Sequence, residues 1–469
     1  MSVMPERLKP IFDETRDIAD LFEAAGARLY LVGGVVRDAL LGRLSPTSDL
    51  DFTTDVPPSR TEEILAPWAD SIWLQGKRFG TIGATKGERR MEITTHRAEH
   101  YDPVSRKPNV AFSTALEADL SRRDFTVNAM AVSLPDLRLV DPFNGTSDLA
   151  TKTLRTPLSP EVSFADDPLR MLRAARFIAG YGLEPTPELT EAVVRMRSRL
   201  EIVSDERVRD ELDKLIVVAD PSAGLRFLVD TGLAAEFLPE LPALALEQDP
   251  LHRHKDVLAH TIAVVQRAKP DRTLRLAALF HDIGKPKTRS YGPGGIVSFH
   301  HHELVGARMT RDRMRALRYP ADEIEKVSKL VELHLRFHTY GLGWTDAAVR
   351  RYVRDAGDLL EPLNELTRCD CTTRDPSKAR ALSLRMDELE RRTAELRANE
   401  ELAAIRPDLD GRDVMAHLGI APGPLVGKAL GYLLEARLEE GPHSHDEAIA
   451  LLEQWWASQP GSAKRGPAA

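Results

Sequence analysis

The sequence has little cysteine, and that scarcity is the first constraint. Its 469 residues include two cysteines, Cys369 and Cys371, two positions apart. That spacing is too short for an ordinary structural bridge, which excludes a disulfide-stapled secreted domain and points to a reducing compartment. Long apolar runs are missing too. No stretch of about 18 apolar residues occurs, so no membrane-spanning helix and no membrane partner are expected. The opening MSVMPERLKP lacks an apolar leader core, and a cytoplasmic location is expected. Positive charge is not in excess: 64 Lys and Arg against 72 Asp and Glu leave a net −8. Such a balance excludes a nonspecific nucleic-acid coat, although not a local basic groove. There is no internal repeat.

What is present is ordinary for a globular chain: 42% hydrophobic and 29% charged residues. The length suggests about three domains. The first 150 residues mix strand-like and helical runs. Arg28–Val32, Leu50–Thr53, Gly80–Ala84 and Arg90–Thr95 read as strands, with a Gly-Gly turn and a helix start at Val35 after the first. The stretch 98–116 has little period and several turn formers, and reads as a mobile loop. Helical period resumes over Leu116–Met130. From about 160 to 400 the pattern is almost purely helical, including Leu169–Ala179, Glu188–Leu200, Glu206–Val217 and Ala379–Leu402. Pro239, Pro242 and Pro250 mark a boundary near 245. The last nine residues, GSAKRGPAA, are expected to be disordered.

The most informative stretch is LVGGVVRDALLGRLSPTSDLDFTT, residues 31–54. Gly33 and Gly34 stand between a strand and a helix, where backbone N–H groups can approach a phosphate. Arg37, in the first helical turn, can reach the same phosphates. Asp49 and Asp51 are two apart on a strand and so share a face. Side by side they repel unless a cation lies between them. Magnesium, which takes a few carboxylates plus substrate phosphates, suits that place. A third carboxylate is expected on a neighbouring strand, and Glu92 fits. A solvated strand edge carries an Asp-x-Asp pair too; the glycine loop upstream tips the balance to catalysis.

Gly33-Gly34, Arg37-Asp38 and Asp49-Leu50-Asp51, in this order, resemble the class II tRNA nucleotidyltransferases. These are the CCA-adding enzymes and their bacterial poly(A) polymerase relatives, in the polymerase-beta-like superfamily. Further motifs follow in family order. Ser121–Met130 (SRRDFTVNAM) looks like the second motif, which implies that Arg123 holds the nucleotide and Asn128 its sugar region. Asp141–Gly145 looks like the head–neck hinge. Ala165–Arg176 looks like the base-selection motif, with Asp166-Asp167 where the family usually has Glu-Asp. Ser204–Leu212 looks like the motif that buttresses the helices. Thr95-His96-Arg97 departs from the family, which more often has an aromatic before the arginine.

The base-selection motif also has a physical logic of its own. Asp167 opens a helix, and Arg170, Arg173 and Arg176 follow at three-residue steps along one slowly drifting face. A carboxylate only accepts hydrogen bonds and a guanidinium only donates. Cytosine and adenine both offer an exocyclic amine beside a ring acceptor. Asp167 takes the amine and Arg170 the acceptor, whereas uracil and guanine place a carbonyl against the carboxylate. Arg173 and Arg176 then face the triphosphate.

Nine of the fourteen histidines fall between His252 and His338, which argues for a metal site in that block. Phe280–Lys285 (FHDIGK) resembles the HD phosphohydrolase motif, and the resemblance implies His260, His281, Asp282 and Asp370 as ligands of a divalent metal of open identity. His300–His302 and His334 could add ligands or phosphate contacts.

The implied fold class is α+β. A small mixed-sheet nucleotidyltransferase head (1–150) precedes an all-helical neck for base selection (151–245), an HD body (246–402) and an RNA-binding tail (403–469) with a basic face. The implied function is template-independent addition of C, C and A to the tRNA 3′ end from CTP and ATP. Asp49 and Asp51 hold Mg2+, Glu92 helps organise the attacking end, and tRNA is contacted at its 3′ end and elbow; no DNA partner is expected. The alternatives are a poly(A) polymerase, an enzyme adding only CC or only A, and an HD phosphohydrolase with an RNA-binding head.

Overall fold

Period-2 burial along short strands organises the first part of the chain. In Leu50–Thr54, Leu50 and Phe52 are buried while Asp51 between them is exposed. One face of the sheet is therefore apolar and must be covered, and the other is free for chemistry. A computed structural model describes residues 9–44, 49–100, 109–246, 256–293, 297–339, 343–371, 375–400 and 405–459. The chain falls into two compact units, Met1–Pro242 with Ala316–Arg318, and Ala243–Arg315 with Tyr319–Ala469.

In the first unit the strands are β1 (Leu29–Val32), β2 (Leu50–Thr54), β3 (Ser71–Trp73), β4 (Thr81–Lys86), β5 (Arg89–Thr95), β6 (Arg97–His100), β7 (Asn109–Phe112), β8 (Ala131–Leu134) and β9 (Leu139–Val140). Seven of them form a sheet in the order β3-β4-β5-β2-β1-β8-β9. Only β2 and β5 pair parallel within it; the other neighbours are antiparallel. Helices α1 (Lys9–Ala24), α2 (Gly34–Leu40) and α3 (Pro58–Leu65) cover the apolar face. Ile18, Phe22, Val36 and Leu65 from them pack with Leu31, Phe52, Ile82 and Ile93 from the sheet. Burying such side chains contributes about 1.5–3 kcal/mol each.

Two expectations for this unit change. The stretch 98–116 is not loop throughout: β6 and β7 pair antiparallel as a separate two-stranded ribbon, Ala98 opposite Ala111. Residues 101–108 lie outside the described residues. The run 116–130 is not one helix either. It is α4 (Leu116–Ser121), then a single 3-10 turn at Thr126–Asn128, because Asp124 and Asn128 turn inward to bind other side chains.

The helices that follow are α5 (Gly145–Thr151), α6 (Pro160–Asp166), α7 (Leu169–Tyr181), α8 (Pro187–Met196), α9 (Asp205–Ile216), α10 (Ser222–Asp230) and α11 (Ala234–Phe237). Thr186, with Pro187 after it, starts α8 by accepting the Leu189 N–H.

The second unit holds α12 (Val257–Arg267), α13 (Arg272–Phe280), α14 (Lys285–Thr288), α15 (His302–Ala316), α16 (Ala321–Leu333), α17 (Asp346–Ala356), α18 (Leu360–Asp370) and α19 (Pro376–Asn399). A small hairpin, Arg289–Tyr291 against Val297–Phe299, interrupts the expected all-helical run. His252 and His254 lie outside the described residues, and so does GSAKRGPAA at the end. The same unit closes with α20 (Gly411–Leu418), α21 (Pro424–Glu440) and α22 (His445–Ala457), which share a core of Val414, Ala429, Leu433 and Leu452. Ser444 and Glu447 form a reciprocal cap at the start of α22. No helix among the described residues is long and apolar enough to cross a membrane.

The described part of the tail carries more acidic than basic residues. From 405 to 459 the Lys and Arg residues are Arg406, Arg412, Lys428 and Arg437, against nine carboxylates, and Arg437 is itself paired with Asp408.

Arg350 on α17 fixes α21. It is 5% exposed, lies 2.9 Å from the Glu400 carboxylate, and donates to the Leu438 and Glu439 carbonyls at 3.2 Å. A cation there satisfies the open end of α21. Arg350→Met strands the Glu400 charge and is expected to cost about 3–5 kcal/mol. Thermal unfolding should show the loss, and hydrogen exchange should speed up over 424–440; unchanged exchange there would contradict this account.

Candidate active site and candidate metal centre

The parallel register of β2 and β5 sets Asp51 directly opposite Glu92. Asp49, just before β2, acts on Asp51 by its charge, and all three are exposed. Their neighbours Leu50, Phe52, Met91 and Ile93 point the other way into the core. Asp51 is open to solvent yet crowded by protein. That desolvation, helped by the charges of Glu92 and Asp49, pushes its carboxyl up to about 6, against the pull of Arg123.

Gly33 stands beside this cluster at φ +77°, a conformation that favours glycine. A Cβ there would lie 3.0 Å from the Arg123 guanidinium and 3.7 Å from the Asp51 carboxylate. Arg123 itself lies 3.2 Å from the Asp119 carboxylate, which is fully buried. The structure thus brings Gly33, Asp51, Glu92 and Arg123 together. Gly34 follows as the first residue of α2.

Arg37 and Asn128 are placed otherwise than expected. Arg37 is 6% exposed. Its guanidinium donates to Asp38 at 2.8–2.9 Å and to Asn128 Oδ1 at 2.6 Å, and stacks 4.2 Å above the Tyr181 ring. Asn128 passes the chain on, donating to Asp124 Oδ1 at 2.9 Å. Both side chains are engaged inside the protein rather than turned to a phosphate or a sugar.

The arginines of α7 are also engaged. Arg170 donates to Ser163 Oγ at 2.9 Å and to the Arg122 carbonyl at 2.6 Å. Arg173 grips Asp124 Oδ2 at 2.5 and 2.8 Å and reaches Glu211 at 3.5 Å. Arg176 meets Glu211 at 2.8 Å. The expected outward pair of Asp167 and Arg170 is not what is seen. Asp167 instead accepts the Leu169 N–H at 3.1 Å and pairs with Arg207 at 2.8 Å.

Asp119, Asp124 and Glu211 are the residues missed in the sequence. Each lies in or next to a recognised motif, but nothing in one dimension marks a carboxylate as buried. Burial alone would raise the Asp124 carboxyl. The Arg173 charge and the bonds from Asn128 and Arg173 outweigh it and hold the group well below the carboxylate range.

In the second unit, His260 Nε2 lies 2.9 Å from Asp370 and 3.5 Å from Asp282. His281 Nε2 lies 3.3 Å from Asp282, 3.5 Å from Asp370 and 3.2 Å from His260 Nε2. The four residues implied by the HD resemblance therefore meet. His281, His302 and His334 each hold Nδ1 at 2.7–2.8 Å from the backbone carbonyl three residues earlier, at Ala278, Phe299 and Val331. A carbonyl only accepts, so Nδ1 carries the proton and Nε2 is left for the centre. That is how proteins orient metal-binding imidazoles. Burial disfavours charge on His281, but Asp282 and Asp370 outweigh it and push the ring up to about 10. The buried Asp282 carboxylate and the partly buried Asp370 carboxylate demand positive charge, and the donor set of imidazoles and carboxylates fits a divalent cation.

A family model described as the poly A polymerase head domain matches residues 29–155. One described as a probable RNA and SrmB-binding site of polymerase A matches 182–244, and one described as an HD domain matches 257–375. An A-adding tRNA nucleotidyltransferase of Deinococcus radiodurans is 36% identical, covering 92% of this chain and 96% of that protein. A CC-adding tRNA nucleotidyltransferase of Thermus thermophilus is 34% identical, covering 93% and 96%. The solved structure of the Bacillus stearothermophilus CCA-adding enzyme in complex with CTP has the same fold, with a TM-score of 0.71 at 23% identity, covering 96% of this chain and 98% of that one.

Two outcomes are expected. The raised carboxyl of Asp51 contributes stability that is complete below its unfolded value of 3.8 and is lost as pH rises through about 6. In metal-free buffer Asp51→Asn should therefore melt higher than the parent near pH 7.5, with an advantage that shrinks towards pH 4.5; equal shifts at both would remove the electrostatic account. Asp124→Ala removes the buried carboxylate shared by Asn128 and Arg173, leaves the half-buried Arg173 with Glu211 alone at 3.5 Å, and should cost about 1–3 kcal/mol in denaturant titration.

Proposed function

The chain belongs to the family of tRNA nucleotidyltransferases and poly(A) polymerases, and from that premise we propose that it extends the 3′ end of tRNA without a template. It draws C and A from CTP and ATP and releases pyrophosphate. The observation that carries this reading is the pairing of Asp51 with Glu92 beside Gly33, with the charge of Asp49 acting on Asp51, in a chain similar along nearly its whole length to tRNA nucleotidyltransferases.

Asp49 and Asp51 would hold Mg2+, which activates the terminal hydroxyl and offsets charge on the leaving pyrophosphate. The remaining work falls to the chain itself. The backbone at Gly33 and Gly34 cradles phosphate oxygens. Arg123 offers the nearby cation, and Glu92 orients the RNA end so that the hydroxyl faces the α-phosphate. Asp167 accepts the exocyclic amine of cytosine or adenine. For Arg170 to donate to the same base it must exchange its bonds to Ser163 and the Arg122 carbonyl, so base binding and movement of the 121–124 segment are coupled. In the second unit His260, His281, Asp282 and Asp370 would hold a divalent cation suited to phosphoester chemistry. Free Cys369 and Cys371 suit a reducing, cytoplasmic setting.

Similarity to an A-adding and a CC-adding enzyme favours tRNA over poly(A) synthesis, and makes a single specificity the second reading. One assay separates them: tRNA ending before CC, or after CC, offered CTP, ATP, or both. Addition of C, C and A, then arrest, supports full CCA synthesis. Two C only, or one A only on the CC-ended tRNA, assigns a partial enzyme. Long tails from ATP alone on unrelated RNA would overturn the tRNA reading. Asp49→Ala with Asp51→Ala should lower extension by about a thousandfold or more; retained extension would remove the head as the catalytic site.

A further inference from the structure

We propose that the indole of Trp73 is a stacking platform for the last base of the RNA being extended. This rests on reading Asp51 and Glu92 as the catalytic pair. Strand register places Trp73 in their row: it lies opposite Gly83, Gly83 opposite Glu92, and Glu92 opposite Asp51. Residues directly opposite one another in a sheet share a face, so Trp73 stands on the face that carries the carboxylates. Its neighbour Ile72, opposite Ala84, packs with the core on the other face.

Gly83 lets the ring lie down. A Cβ there would collide with Cε2, Nε1 and Cζ2 of the indole. The ring therefore occupies the place that a side chain on β4 would fill, and Gly83 is buried beneath it. Neighbouring strands are about 4.8 Å apart, so a ring over β4 ends one strand from Glu92. Trp73 remains half-buried rather than enclosed.

Arg90 supplies the charge. It lies two residues before Glu92 on β5, is exposed, and holds its guanidinium carbon 5.3 Å from the centre of the indole. Being exposed, it can give the ring up to a base and meet the backbone phosphate instead. An aromatic ring beside a cation is how proteins hold single-stranded nucleic acid, the ring taking the base and the cation the backbone.

Strand order decides which substrate meets the ring. The sheet runs β3-β4-β5-β2-β1 from its edge. Gly33 and Gly34, the phosphate cradle, follow β1 on one side of Asp51, and Trp73 lies on the other. In phosphoryl transfer the attacking and leaving oxygens are roughly in line with the phosphorus. Pyrophosphate held on the β1 side therefore leaves the β5 and β4 side to the incoming RNA hydroxyl, and the ring is there. The terminal base changes as residues are added. Stacking suits that, because every base has a π face.

The test measures steady-state extension by the full chain on tRNA ending before CC and on tRNA ending after CC, each with its last nucleotide intact or abasic. In the parent, loss of the last base is expected to raise KM for tRNA about tenfold. Trp73→Leu keeps an apolar side chain over Gly83 but has no π face. It should raise KM for intact tRNA by a similar factor, leave KM for CTP and ATP unchanged, and be indifferent to the abasic end. Trp73→Phe should recover most of the affinity and the sensitivity to the abasic end, with circular dichroism matching the parent in both variants. No abasic penalty in the parent, an equal penalty in Trp73→Leu, or a rise confined to KM for CTP and ATP would overturn the platform and leave the transferase standing. A parent that extends neither tRNA overturns both.

Discussion

A buried relay of charge holds the catalytic end of the first unit in register. It runs from Arg37 through Asn128, Asp124 and Arg173 to Glu211 and Arg176. These six side chains come from α2, the 3-10 turn at Thr126–Asn128, the loop before it, α7 and α9. Charges removed from water are costly, and ion pairs repay that cost only when the geometry is good. The relay is therefore better understood as a device that permits one arrangement than as a large net stabiliser. It fixes the helix that starts at Gly34 and the segment that carries Arg123, which together frame the carboxylates.

This assigns different work to the arginines than their sequence pattern implies. Arg37, Arg173 and Arg176 lie in motifs associated with nucleotides, and a guanidinium is a natural phosphate donor. Here each is matched to a carboxylate of the same unit, and Arg37 also stacks on Tyr181. Arg123 stays beside the Asp51 carboxylate. The second unit repeats the theme with other chemistry: the buried Asp282 lies among imidazoles, of which His281, His302 and His334 have Nδ1 tied to the backbone, so their orientation is settled before any ligand arrives.

Much of the fold was legible in one dimension. β1, β2, β4 and β5 fall where β-branched and apolar runs alternate, and α7, α9 and α19 follow the helical period within a few residues. The α+β class, with a mixed-sheet head followed by helices, follows from that order of elements. The ribbon of β6 and β7 was not legible, because short edge pairs owe their existence to partners across the turn rather than to their own composition. The hairpin after α14 was hidden for the same reason. Asp119, Asp124 and Glu211 carry no signal of burial in their neighbours along the chain.

By itself the sequence determined which residues could share a face: Asp49 with Asp51 through the two-residue period of a strand, and the histidine-rich block through sheer density. It also carried the ordered motifs of a nucleotidyltransferase, since motif order is a property of the chain. Only the tertiary structure decided which charges stayed free. Hydrogen-bond and ion-pair partners are set by distances across elements, here 91 residues apart for Arg37 and Asn128 and 88 between Asp282 and Asp370 as numbered. In a low-dielectric interior each such partner decides whether a guanidinium or carboxylate is a structural clasp or a group left to meet a substrate.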